Sequence, residues 1–233
     1  MHISILRLFC LLVFVCVAVS AQLEAKVQVK FFFHKPPESA PTEVSVFSQG
    51  SSKITTVGLP DKQFSETYTF KEGGRVLYFA PRDVNFPLKP ELLAKLPQVK
   101  LKKTDKFLAL IVFSDPDNKL LPIRVEKISA NSEVFGNGDF LFANFSNVSI
   151  KGSLKREEFV LKPKSSVLVE KPGEHLESIQ LKLDKLVEVN GEKKMAKFAR
   201  NIWRSNHKTR YVTFIDERGV RSRLSYYCLP LSF

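Results

Sequence analysis

Cysteine is scarce in this chain, and scarcest where it could matter. Of the three in 233 residues, Cys10 and Cys16 fall in an N-terminal apolar run, which leaves Cys228 without a partner for an internal disulfide. A small disulfide-stapled domain is therefore excluded, and stability has to come from burial. Acids are also in short supply, with 24 Asp and Glu against 36 Lys and Arg and a formal net charge of +12. The adjacent pairs Glu157-Glu158 and Asp216-Glu217 sit in strand-like sequence, where neighbours point to opposite faces. Neither pair can act as the two facing carboxylates of a glycosidase.

Sequence motifs for chemistry are missing too. There is no G-x-S-x-G elbow, Walker loop or dinucleotide-binding glycine pattern. His34, His175 and His207 lie far apart, with no Cys or His at ligand spacing, whereas zinc needs three or four convergent ligands. They read as surface imidazoles. Ser205-Asn206-His207-Lys208 matches S-x-x-K but lacks the helix start and the companion motifs of that chemistry. Asp115, Asp117 and Asn118 sit in a loop too short for calcium and lacking its distal Glu, so they read as turn chemistry. No catalytic residue, cofactor or metal is expected.

What is present begins with a leader. Arg7 precedes an apolar run over 8–19, and Val19-Ser20-Ala21 offers small residues for signal-peptidase cleavage before Gln22. The run is short for a membrane span of about 20 residues. Removing residues 1–21 takes away Arg7 and no acid, so the net charge of +12 falls to +11. A secreted or periplasmic location is expected, with no transmembrane span after cleavage.

The rest reads as short apolar runs rich in Val, Ile and Phe, cut by Gly, Pro, Asn and Asp, the pattern of an antiparallel β protein. Strands are expected over 26–33, 43–47, 53–57, 64–70, 75–80, 107–113 and 121–128, with a helical turn at 90–95, where Pro90 starts it. The second part offers strands over 140–145, 148–150, 158–161 and 167–169, a hairpin of 178–189 with 193–204 about Asn190-Gly191, and strands over 211–215 and 220–228. The order of the first part recurs in the second: 140–150 stands where 29–47 stood, 158–169 where 68–79 stood, and 211–228 where 107–128 stood. The spacing predicts two tandem β-sandwich units, immunoglobulin-like or transthyretin-like, over 22–130 and 136–233, joined by the polar stretch 129–137.

Cations supply the one functional slant. Lys193, Lys194, Lys197, Arg200, Arg204, Lys208 and Arg210 crowd one segment and form a candidate anion-binding face. The bland counterpart is a solvated surface whose lysines guard edge strands. Trp203, among these cations, could stack on a sugar or a base, or belong to the core. Asn144-Phe145-Ser146 and Asn147-Val148-Ser149 are glycosylation sequons, meaningful only in a glycosylating host. Cys228 reads as a small buried hydrophobe.

Residues 136–228 resemble a group of small secreted proteins of unknown function from bacteria with a two-membrane envelope. The shared features are Gly138, Asn144 and Ser146 in a strand ending in Asn-x-Ser, then Gly152, Leu161-Lys162-Pro163, Trp203, and Arg210 opening the final hairpin. The usual glycine after the turn proline is Lys164 here. The resemblance implies a β-sandwich and export, and names no site. Together these readings point to a non-catalytic envelope protein whose partner is an anionic glycan, a lipid headgroup or an envelope protein. A hydrolase with a site assembled between the two units is the alternative, needing a deep cleft with two carboxylates, or a Ser and a His, within reach. Nucleic acid fits less well, because the chain is exported and lacks an aromatic platform.

Overall fold

In a computed structural model the described residues are 26–71, 75–189, 191–218 and 223–233. The leader expected at 1–21, the turns expected at Gly73-Gly74 and Gly219, and Asn190 of the expected Asn190-Gly191 turn lie outside them. The first eight strands are β1 (Lys26–Phe33), β2 (Glu43–Ser48), β3 (Thr55–Gly58), β4 (Tyr68–Lys71), β5 (Val76–Ala80), β6 (Gln98–Lys100), β7 (Phe107–Ser114) and β8 (Ile123–Ser129). A single helical turn, α1 (Pro90–Leu93), precedes β6. The second eight are β9 (Phe140–Asn144), β10 (Ile150–Leu154), β11 (Glu157–Leu161), β12 (Ser165–Val169), β13 (Ser178–Val189), β14 (Glu192–Arg204), β15 (Arg210–Arg218) and β16 (Arg223–Leu231).

The two halves have one topology. The first pairs its strands as β4-β1-β7-β8 and β3-β2-β5-β6, and the second repeats this as β12-β9-β15-β16 and β11-β10-β13-β14. The chain is thus two all-β sandwiches with the same strand order. In an immunoglobulin sandwich the first and second strands share a sheet. Here they part into different sheets, which leaves the transthyretin-like alternative. The repeat is in fact one strand out of the sequence alignment. Strands β11 and β12 occupy the places of β3 and β4, not of β4 and β5, because β3 is a short, weakly patterned segment. Nor is the pairing antiparallel throughout: β1 runs parallel to β7 and β9 parallel to β15.

These parallel pairs explain the apolar runs. A strand buried on both faces reads as continuous hydrophobic sequence rather than as alternation. In β1 and β7, Val29, Phe31, Phe33, Leu108, Leu110 and Val112 fill the first sandwich. Their neighbours Phe32, Ala109, Ile111 and Phe113 face the other way and meet Val212, Phe214 and Leu231 of the second half in a separate buried cluster. The far side of β9 and β15 contributes Phe140, Phe142 and Ile215 to the second sandwich. The sheets therefore stack four deep, with the two inner ones back to back. The segment expected to be a polar linker is pinned as well: Ala130, Asn131 and Phe135 are buried, and Asn131 Oδ1 accepts from the backbone N–H groups of Lys106 and Phe107.

Two local devices shape the second half. Asn144, 1% exposed, donates to the carbonyls of Val148 and Lys162 and accepts from the backbone and hydroxyl of Ser146. Gly152 lies under the Phe159 ring, so close that a Cβ there would come within 2.2 Å of it.

Candidate functional site

The seam between the halves opens at one end into a cleft of about 440 Å3. The first half contributes His34 and Lys35 from the end of β1, Phe113 from β7, and Arg124 and Glu126 from β8. The second contributes Phe145, Lys164, and Asp216 and Glu217 from β15. His34 is buried, not a surface imidazole as the sequence suggested, because the Phe run of β1 carries it into the seam. Its ring lies among Phe113, Phe145, Phe214 and Tyr227, 5.1–5.9 Å between centroids.

Asp216 joins the halves electrically. Its Oδ2 lies 3.1 Å from His34 Nε2, and its Oδ1 takes the Lys35 ammonium and, at 3.3 Å, the Ser225 hydroxyl. Burial works to raise this carboxyl, but the hydrogen bonds and charges of His34 and Lys35 outweigh it and hold it below its ordinary value. The other charged groups of the cleft are engaged too. Arg124 pairs with Glu126 and lies 4.2 Å above the Phe113 ring, while Glu217 accepts from the backbone N–H of Asn147.

A His beside an Asp could act as a general base if a nucleophile stood on the imidazole's far nitrogen. The group at His34 Nδ1 is the Tyr227 hydroxyl, at 2.5 Å. Ser225 faces Asp216, not the imidazole.

The candidate anion face divides. The β13–β14 register slips at Leu183/Asp184, so Lys193, Lys197, Arg200 and Arg204 fall at positions on one face of the outer sheet and Lys194 on the other. The side chain of Lys193 lies outside the described residues. Lys151 on β10 and Lys182 on β13 join the same face by register. Three carboxylates share it: Asp184, 2.5 Å from Arg200, Glu158, 3.2 Å from Lys151, and Glu188, the register partner of Lys193. Lys194 pairs with Glu192 at 2.8 Å, and Lys208 is exposed in the turn before β15. Arg210 does not belong to the face. It is buried, and its Nε donates to the Phe135 carbonyl at 2.6 Å. Burial pulls this guanidinium down from its ordinary value, with Asp139 pulling the other way. It is one of the ties that pin the linker.

The chain matches no family model and no curated protein. Functional reading therefore rests on geometry. No helix among the described residues is long and apolar enough to cross a membrane. Trp203 is half-buried against Phe140 and Phe142. His175 and His207, 32 residues apart, come together, with the His207 backbone N–H donating to His175 Nδ1 at 3.1 Å. The sequence could not show the cleft, because its residues come from segments more than 180 positions apart that meet only when the two inner sheets pack.

Proposed function

We propose that this is an exported, non-catalytic binding protein of the cell envelope whose basic outer face engages an anionic glycan. The observation behind this reading is the solvent face of the outer sheet of the second half. Lys151, Lys182, Lys197, Arg200 and Arg204 share it against Glu158, Asp184 and Glu188, so an excess of positive charge survives the ion pairs. Such a surface attracts polyanions at long range and loses that attraction as salt screens it, over about 8–10 Å at ordinary ionic strength. The export expected from the leader, and the resemblance to secreted envelope proteins, support an extracytoplasmic polyanion as the partner.

The test is chromatography of the processed protein on immobilised heparin. Retention at low salt should shift with ionic strength, and the combined change Lys151→Gln, Lys182→Gln and Lys197→Gln should elute markedly earlier. Salt-independent flow-through would remove the electrostatic reading. Equal binding to anionic vesicles would favour a lipid headgroup over a glycan. The hydrolase alternative draws on the His34–Asp216 contact in the cleft. It requires turnover of an ester or glycoside panel that is lost in His34→Gln.

A further inference from the structure

At the open end of the second sandwich, between the edge strands β14 and β16, lies a pocket of about 270 Å3 lined by Phe140, Trp203, Arg204, Tyr211, Cys228 and Pro230. Phe140 stacks on Tyr211 with centroids 4.5 Å apart and planes 12° from parallel, and on Trp203 at 5.7 Å and 11°. Trp203 and Tyr211 are only partly covered. Among the described residues nothing hydrogen-bonds the Trp203 indole N–H or the Tyr211 hydroxyl, and the Arg204 guanidinium has no ion pair. Arg204 ends β14, so although its register faces the outer side it also lines this pocket, and its Nε donates to the Leu176 carbonyl at 3.2 Å, leaving its terminal nitrogens for a ligand.

The duplication supplies a control. In the first half the corresponding parallel pair is Val29 with Leu108, and both are fully buried. The same scaffold thus places aliphatic side chains at this pair in one half, and in the other a buried Phe140 beside the partly exposed rings of Tyr211 and Trp203. A core needs no such rings, and aromatic groups with one polar end tend to appear where one side is apolar and the other is wet.

We infer that this pocket is a binding subsite for an acidic sugar residue, with the sugar's apolar C–H face against Trp203 and Tyr211 and its carboxylate on Arg204. Guanidinium and carboxylate match in geometry as well as charge, while the indole N–H and the phenol can donate or accept at ring hydroxyls. Burial, with Cys228 nearby, raises the Tyr211 phenol from its ordinary value, so it keeps its proton. The assignment rests on the glycan reading and narrows it from a surface to one ring.

Trp203 is the sole tryptophan of the chain, so tryptophan emission, excited selectively over tyrosine, reports on this pocket. The processed protein is titrated with a short oligogalacturonate and with its carboxyl-reduced neutral counterpart. A saturable change is expected for the acid, with the neutral sugar binding about tenfold or more weakly, as loss of a charge-assisted contact implies. Arg204→Gln should erase that preference, and Tyr211→Phe should weaken both sugars. Both variants retain the ring packing of Phe140, Trp203 and Tyr211, which Trp203→Ala removes. Equal affinity for acid and neutral sugars, or a preference that survives Arg204→Gln, overturns the assignment. A flat trace together with salt-dependent heparin retention sinks the pocket and leaves the basic face standing. A flat trace without retention sinks both.

Discussion

Replacing Asp216 with Asn keeps the shape of the group that ties the halves and removes its charge. The wild-type carboxylate is 7% exposed and meets His34, equally buried, and Lys35, 36% exposed. Breaking a fully buried pair costs about 3–5 kcal/mol. The partial exposure of Lys35 and the retained amide reduce this to about 2 kcal/mol, using roughly 1.5–3 kcal/mol for each charged hydrogen bond weakened. For a chain of about 200 residues that lowers Tm by about 4–8 °C. The sign of the pH dependence is fixed by the depressed carboxyl. Its stabilisation is fully present above the unfolded value of 3.8 and is lost as pH falls through the lower folded value. Calorimetric scans of both proteins between pH 7 and pH 2.5 should therefore show a constant gap down to about pH 4 that then closes. A gap under about 1 °C at pH 7, or one that persists at the acid end, would refute the reasoning.

Phe32 is fully buried in the seam and packs its ring against Phe64, Phe214 and Tyr227. Phe32→Ala should cost about 3–5 kcal/mol, and unchanged urea midpoints would show that the seam adds little. Asn144→Ala removes a buried hub serving two carbonyls and Ser146, so a loss of about 2–4 kcal/mol is expected from the groups left unpaired. Production in a glycosylating host, followed by peptide mass analysis, should find sugar at exposed Asn147 and none at buried Asn144. Burial pushes the Cys228 thiol up to about 11. Labelling by a thiol reagent at pH 8 should thus run about a hundredfold slower than for an ordinary cysteine of pKa near 8.5.

Much of the fold was legible because the signals were local. The Asp115-Pro116 turn, the proline opening α1 and the alternation of Ile179, Leu181 and Leu183 each depend on neighbours in sequence. The parallel pairing of β1 with β7 and of β9 with β15 left no such trace. The Phe31-Phe32-Phe33 run carried a clue in its double-sided greasiness, which marks a strand covered on both faces. The cleft was illegible for the same reason, since Asp216 meets His34 only through the packing of two sheets. Arg210 misled because its charge suggested solvent, whereas a partner carbonyl at Phe135 made burial tolerable.

The account stands most squarely on the fluorescence of Trp203 during titration with an acidic oligosaccharide, run at low and at raised salt. It predicts saturation at low salt and weaker binding at raised salt, because Arg204 and the basic face both act through charge. An unchanged spectrum at low salt, or an affinity indifferent to ionic strength, would contradict it.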